Sequence, residues 1–209
     1  MRPFLLVLSS PSGGGKSTIA RHLLNAREDL GYSVSATTRL PRAGEVDGAD
    51  YHFLAAGEFD RRIAAGEFVE WAGYGGAKYG TLRSEVERVM SAGQHVVLDI
   101  EVAGARQVRN VFPDSVHVFV LPPSGTALSE RLRMRRTDDA AAQARRLEIA
   151  REEIGAAAEY DYVIVNDDLV AAVAQVAAIL DAEGRKTKRM DDLADVIARL
   201  RRELNGSQR

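Results

Sequence analysis

The sequence predicts an α/β protein: a parallel sheet flanked by helices, with an inserted α+β lobe and a small helical lid. Short apolar runs alternate along the chain with segments of helical periodicity, as in sheets covered by helices on both faces. A glycine-rich loop at residues 10–18 joins the first apolar run to the first helical segment. Between residues 34 and 93, short strands and polar loops interrupt the alternation, which indicates the insertion.

The first predicted strand, at residues 4–8, leads directly into the glycine-rich loop. Glycines let successive backbone N–H groups point inward at phosphate oxygens. The helix predicted over Lys16–Ala26 adds the positive end of its dipole. In loops of this type, the lysine at the position of Lys16 reaches the β- and γ-phosphates, and the hydroxyl at Ser17 ligates Mg²⁺. The loop therefore predicts a nucleoside triphosphate with magnesium as its ligand.

The inserted lobe is predicted from short, interrupted elements. Tyrosine, valine and phenylalanine favour strands, and polar loops with glycine and proline separate them. Strands are predicted at 32–37, 51–54 and 68–74, helices at 58–65 and 82–92, and a glycine-rich turn at 73–80.

The second half of the chain returns to the alternating pattern. The β-branched runs at 95–100 and 116–121 have no polar face, which is typical of parallel strands buried on both sides. Another strand is predicted at 162–165. Helices are predicted at 103–111, 126–134, 137–159, 169–183 and 190–204.

Composition narrows the class of protein. The chain has 209 residues, of which 45% are hydrophobic, enough for one sizeable core. The net charge of −2 gives no general affinity for polyanions, so nucleic acid is not an expected partner. The absence of cysteine excludes disulfides and thiolate metal sites and is compatible with a reducing compartment. No apolar run is long enough to span a bilayer, and we expect a cytoplasmic protein without a membrane partner.

Two arginines, Arg39 and Arg42, lie three positions apart on a polar loop of the insertion. Guanidinium groups suit multidentate capture of a phosphate better than lysine does. The alternative is a pair of solvated surface arginines. Tyr51, Tyr79 and the phosphate loop favour a second phosphate site, which a kinase with a phosphorylated acceptor needs.

Carboxylates mark two further positions. Glu70 interrupts an apolar strand. It is either an outward-facing carboxylate or a residue that recognises a nucleotide base. Guanine offers two adjacent N–H donors that one carboxylate can accept, whereas adenine lacks that pair. Asp99 and Glu101 follow a predicted strand at its carboxyl end, where ligands of open α/β sheets gather. Asp99 therefore suits a magnesium-associated or acceptor-binding role, with a helix cap as the alternative.

A basic stretch surrounds residues 137–139. A lid that closes over a triphosphate uses such side chains to stabilise charge on the transferring phosphoryl group. The alternative for some of them is a solvated helix face. The stretch comprises Arg131, Arg135, Arg136, Arg145 and Arg146.

The chain resembles the guanylate kinase family over about residues 4–184. The resemblance is carried by residues 33–53 (SVSATTRLPRAGEVDGADYHF), by Phe-Val-Glu-Trp at 68–71 and by Val-Ile-Val-Asn-Asp-Asp-Leu at 163–169. Tyr-Gly-Thr at 79–81 and Leu-Asp-Ile at 98–100 fit the same pattern. It implies a P-loop kinase core that transfers the γ-phosphate of ATP to GMP. The implied units are a core (1–33, 94–124 and 144–184), a GMP-binding lobe (34–93), a lid (125–143) and a C-terminal helical extension (185–209).

The resemblance also implies a role for each matching residue. ATP would be held by Ser12, Gly13, Gly14, Gly15, Lys16, Ser17, Thr18 and Asn166. GMP would be held by Ser35, Arg39, Arg42, Tyr51, Glu70, Tyr79, Thr81, Asp99 and Glu101. The catalytic set would be Lys16, Arg39, Asp99, Arg131, Arg135 and Arg146, with Mg²⁺ on Ser17 and, through a water, on Asp99.

The sequence departs from the family pattern at a few positions. Ser10 replaces the first glycine of the loop, and Arg136 stands where glycine is common. Glu101 and Ala103 stand where the family usually has aspartate and glutamine. The C-terminal stripe that includes Leu193, Ile197 and Leu200 predicts a packing helix or an oligomer contact.

Two other functions compete with the kinase. One is a guanylate-kinase-like module that has lost catalysis and docks a phosphopeptide, and the intact Lys16 and Ser17 argue against it. The other is a sugar-phosphate kinase of the same fold, and the residues suited to reading guanine argue against that.

Overall fold

A computed structural model of the chain describes residues 2–133 and 140–206. The described strands are β1 Leu5–Ser9, β2 Leu30–Tyr32, β3 Ala36–Thr37, β4 His52–Phe53, β5 Phe68–Tyr74, β6 Ala77–Leu82, β7 His95–Asp99, β8 Val116–Leu121 and β9 Tyr162–Val165. The described helices are α1 Lys16–Ala26, α2 Ala56–Ala64, α3 Arg83–Ser91, α4 Val102–Val111, α5 Gly125–Arg133, α6 Ala140–Gly155, α7 Leu169–Gly184 and α8 Leu193–Gly206.

The central sheet has five parallel strands in the order β2-β7-β1-β8-β9. Every residue of β1 is buried, because helices cover both faces of the sheet. Leu6 and Leu8 pack with Ile19 of α1 and Val176 of α7. The alternate residues of β1 pack with α3 and α4 on the opposite face. This arrangement confirms the predicted parallel sheet flanked by helices.

A second, four-stranded sheet lies within the region 34–93, in the order β4-β3-β6-β5. Strand β3 is parallel to β4 and antiparallel to β6, and β5 and β6 form an antiparallel pair. Its small core includes Phe59 of α2, which stacks on Phe68 with ring centroids 4.4 Å apart. The packing of α2 on this sheet gives the segment a hydrophobic core of its own.

Two sequence predictions for this region are wrong. The segment 73–80 is not one glycine-rich turn, because β6 begins at Ala77 and only Gly75 and Gly76 separate it from β5. Gly80 lies inside β6, where an added Cβ would sit 2.7 Å from the Glu70 carbonyl oxygen. That glycine is therefore needed for close packing. The predicted strand 32–37 is two strands, β2 and β3, which belong to different sheets.

Most other predicted elements agree with the structure within three residues at each end. The helix predicted at 137–159 is α6 followed by a short 3₁₀ turn, Ala156–Glu159, and its predicted start lies outside the described residues. None of the helices in the described part of the chain is long and apolar enough to cross a membrane.

Candidate active site

The loop after β1 adopts a conformation that depends on glycine. Gly13 and Gly15 have φ angles of +84° and +100°, a region that other residues rarely adopt. The Gly14 N–H donates to the Pro11 carbonyl oxygen at 2.8 Å, which closes the turn. Helix α1 begins at Lys16, so the loop leads directly into a helix N-terminus. This is the geometry expected of a phosphate-binding loop.

Asn166, at the end of β9, holds this loop from the side. Its Nδ2 donates to the Gly14 carbonyl oxygen at 3.0 Å. A cavity of about 440 Å³ lies beside the contact, and Arg131 and Asp167 help to line it. The Arg131 guanidinium reaches the Asn166 carbonyl oxygen at 3.4 Å. The loop, β9 and α5 thus enclose one concave surface.

Lys16 points toward the carboxyl end of β7. Its ammonium donates to Oε1 of Glu101 at 2.9 Å and lies 3.7 Å from Oδ1 of Asp99. Burial alone would lower the pKa of Lys16, but the charges of Glu101 and Asp99 outweigh it and raise the pKa above its usual value. Lys16 is therefore a fixed positive charge at the mouth of the loop.

Glu153, in the last turn of α6, is a member of the site that the sequence prediction missed. Its Oε2 accepts the backbone N–H of Ser12 at 3.2 Å. Burial and the neighbouring charge of Glu101 raise the pKa of Glu153 to about 7. Because 141 positions separate the two partners, the local sequence carries no sign of this contact.

A second cavity, of about 300 Å³, joins the phosphate loop to the smaller sheet. It brings together many of the residues that sequence reasoning assigned to the two substrates. Tyr32, Ala72, Tyr74 and Gly104 also line it and were not predicted. The predicted residues along its wall are Ser12, Gly13, Lys16, Ser17, Ser35, Tyr51, Glu70, Tyr79, Asp99 and Glu101.

Glu70 is held in this cavity by its neighbour across the hairpin. The Thr81 hydroxyl donates to Oε1 of Glu70 at 2.7 Å, and Glu70 is only 5% exposed. Burial raises the pKa of the Glu70 carboxyl. Gly104 of α4 makes room for the carboxylate, because an added Cβ would lie 2.4 Å from Oε2. Oε1 thus accepts from the Thr81 hydroxyl, and Oε2 faces the closely approaching helix α4.

Arg39 does not line the described cavity. Its guanidinium donates to both oxygens of Glu45, at 2.7 and 2.8 Å, and lies 5.2 Å from the centroid of the Tyr51 ring. The Arg42 backbone N–H donates to the same carboxylate at 2.7 Å. The hydrogen bonds from the Arg39 side chain and the Arg42 backbone lower the pKa of Glu45 to about 2. Glu45 was not predicted, and it fixes the loop that carries both arginines.

The structure describes only some of the predicted lid arginines. Arg131 lies in α5 and reaches the Asn166 carbonyl. Arg135 and Arg136 lie outside the described residues. Arg145 and Arg146 belong to α6, but their side chains are not among those described.

Metal ligands are sparse in the described parts of the chain, where no group of three or more His, Asp or Glu side chains could hold an ion. Ser17 and Asp99 nevertheless line the same cavity, and Oδ1 of Asp99 is buried without a hydrogen-bond partner. A hydroxyl and a carboxylate are oxygen ligands of the kind Mg²⁺ takes when phosphates complete its coordination.

Comparisons with known proteins agree with one another. The guanylate kinase family model matches residues 2–183. Guanylate kinase of Symbiobacterium thermophilum is 53% identical over 88% of each chain, and that of Carboxydothermus hydrogenoformans is 46% identical over 90% of this chain and 92% of its own. The crystal structure of guanylate kinase from Anaplasma phagocytophilum superposes with a TM-score of 0.75 at 36% identity, covering 93% of each chain. The chain belongs to the guanylate kinase family.

Proposed function

We propose that this protein transfers the γ-phosphate of ATP to GMP, giving ADP and GDP. One observation carries the proposal: a single cavity is lined on one side by Lys16 and Ser17 of the phosphate loop and on the other by Glu70 and Tyr79 of the smaller sheet. A donor phosphate on the loop and an acceptor in the lobe would therefore face each other. The family assignment supports the same reaction.

The chain supplies position and charge, because phosphoryl transfer needs little covalent chemistry from the protein. Backbone N–H groups of residues 12–18 and the Lys16 ammonium would hold the β- and γ-phosphates of ATP. Asn166 keeps the loop in place through Gly14, and we assign adenine to the neighbouring cavity that Asn166 lines. We assign no protein nucleophile.

The acceptor side reads guanine. The Glu70 carboxylate would accept the N1–H and N2–H donors of the base. The Thr81 hydroxyl, which donates to Oε1 of Glu70, would hold that carboxylate in place for guanine, and the Ser35 hydroxyl would hydrogen-bond to the remaining polar edge of the base. Adenine would leave the 5% exposed Glu70 without those donors, which is a strong penalty in a buried site. The GMP phosphate is assigned to Arg39, Arg42, Tyr51 and Tyr79, and Asp99 and Glu101 complete the acceptor wall.

Magnesium belongs to the proposal as the partner of ATP. Ser17 and Asp99 would hold it, the latter through a water. The bound ion neutralises charge that develops on the phosphates. The remaining charge stabilisation is assigned to Lys16, to Arg39, and to the lid arginines Arg131, Arg135 and Arg146.

The proposed units follow from these roles. Residues 1–33, 94–124 and 144–184 form the donor core, 34–93 the acceptor lobe, 125–143 the lid and 185–209 an extension. The partners are the small molecules ATP and GMP, and we place the reaction in the cytoplasm.

The proposal is tested by measuring ADP release with ATP and GMP together and with each omitted. Activity should require both nucleotides, and Lys16→Ala should lower it by at least about 100-fold. Lys188→Ala is the matched control, because Lys188 pairs with Asp114 and lines neither cavity of the site. Unchanged activity in Lys16→Ala would show that the assigned mechanism is wrong.

A further inference from the structure

The last turn of α6 places a carboxylate on the phosphate loop. Oε2 of Glu153 accepts the backbone N–H of Ser12 at 3.2 Å. Nearby, Oε1 of Glu101 accepts from the Lys16 ammonium at 2.9 Å. A backbone N–H and an ammonium are the two kinds of group that such a loop offers to phosphate. Each holds a protein carboxylate in this structure.

Negative charge is already abundant around the loop. Lys16 lies 2.9 Å from Glu101 and 3.7 Å from Asp99, and Glu153 adds a third carboxyl group. Burial, together with this crowding of charge, raises the pKa of Glu153. A triphosphate brings more negative charge to the same ammonium, so a carboxylate at Ser12 opposes its binding.

We propose that Glu153 occupies an anion position on the phosphate loop in the nucleotide-free protein and that the triphosphate of ATP displaces it. The inference rests on the proposed function, because it takes ATP as the donor. The apparent affinity for ATP is then lowered by the fraction of molecules in which Glu153 holds the loop. GMP binding should change less, because the hydrogen bonds described for Glu70 and Arg39 go to Thr81, Leu40 and Glu45, and Glu101 is the member of the acceptor wall that interacts with Glu153.

The first experiment measures the dissociation constants of Mg-ATP and of GMP by calorimetry for two variants, at about pH 8, above the pKa of about 7 of Glu153, so that its carboxyl is ionised. Glu153→Gln removes the charge and keeps the shape, and Glu152→Gln removes the same charge from the neighbouring, exposed position. We expect Glu153→Gln to bind ATP about three- to tenfold more tightly and its affinity for GMP to change by less than about twofold. Glu152→Gln should match the wild type. An ATP dissociation constant within twofold of the wild type in Glu153→Gln, or a higher one, overturns the inference.

The second experiment follows the amide proton of Ser12 by NMR in the wild type and in Glu153→Ala. Without nucleotide the chemical shifts should differ, because the variant lacks the charged acceptor. With saturating ATP they should coincide, because the same phosphate then occupies the position. A difference that persists with ATP means that Glu153 stays on the loop, and the displacement is wrong. Failure of the wild type to bind ATP at all would count against the proposed function instead.

Discussion

The side-chain amide of Asn166 donates to the carbonyl oxygen of Gly14 and fills the space directly over Gly15. A Cβ added at Gly15 would lie 2.2 Å from Nδ2 of Asn166. Strand β9 thereby holds the phosphate loop from outside, in addition to the bonds within the loop. The loop's shape depends on a residue that follows it by 152 positions.

Gly15→Ala should weaken ATP binding strongly. The backbone at this position has a φ of +100°, which strains alanine by about 1–2 kcal/mol, and the new Cβ collides with Asn166. We expect the dissociation constant for ATP to rise by at least tenfold. Gly57→Ala is the control, since Gly57 lies in α2 with nothing within 4 Å of an added Cβ. Normal ATP affinity in Gly15→Ala would contradict the account of the loop.

Gly104→Ala should weaken GMP binding without unfolding the protein. The added Cβ would lie 2.4 Å from Oε2 of Glu70 and displace the carboxylate assigned to guanine. Alanine is otherwise favoured over glycine in a helix such as α4 by about 1 kcal/mol. Steady-state kinetics should show a KM for GMP raised about tenfold, with the KM for ATP unchanged. Equal effects on both nucleotides would indicate a general disturbance of the fold.

Glu45→Gln should loosen the loop that carries Arg39 and Arg42. The variant loses the charge of an acceptor that holds the Arg39 guanidinium through two hydrogen bonds and the Arg42 N–H through a third. We expect the KM for GMP to rise about three- to tenfold. Glu87→Gln, on the exposed side of α3, is the control and should leave it unchanged. If Glu45 merely competed with the GMP phosphate for Arg39, the KM would fall.

Stability should fall as the pH drops below about 6.5, through His117. This residue is 1% exposed, and burial together with the charge of Arg109 lowers the pKa of His117 to about 4. An unfolded histidine titrates near 6.5, so between pH 6.5 and 4 the unfolded state binds the proton first and is favoured. The total loss is about 3 kcal/mol over that range. Above pH 6.5 this contribution is complete.

Urea unfolding at pH 7.5 and pH 5 measures the contribution of His117. The free energy of unfolding of the wild type should fall between these values by about 2 kcal/mol more than that of His117→Gln, which does not titrate. The same pH dependence in both proteins would show that His117 is not responsible.

The sequence was sufficient to predict the helices and strands whose pattern lies within a short stretch of the chain. The buried strand β1 and the helix α1 follow from a continuous apolar run, a glycine-rich loop and helical spacing, and both agree with the structure within one residue. The turn predicted at 73–80 failed because glycine there signals two different needs. Gly75 and Gly76 turn the chain with positive φ angles, whereas Gly80 is a strand residue that lets the Phe68 ring approach.

The residues of the site also fall into two groups, those that the sequence predicts and those that it does not. Lys16, Ser17, Glu70 and Tyr79 were predicted as site residues from motifs, and the structure brings them to one cavity. Glu153 and Gly104 could not be predicted, because their importance lies in contacts made only after folding. Glu45 lay inside a recognised motif, but the sequence does not show that its carboxylate would pair with Arg39.

The proposed acceptor site for GMP is the cavity between the phosphate loop and the smaller sheet. The most direct measurement is ADP release from ATP with GMP, AMP, CMP and UMP supplied one at a time to the wild-type protein. We predict a kcat/KM for GMP at least about 1,000-fold above the others, because only guanine satisfies the buried Glu70. Comparable rates with AMP, CMP or UMP would contradict the account.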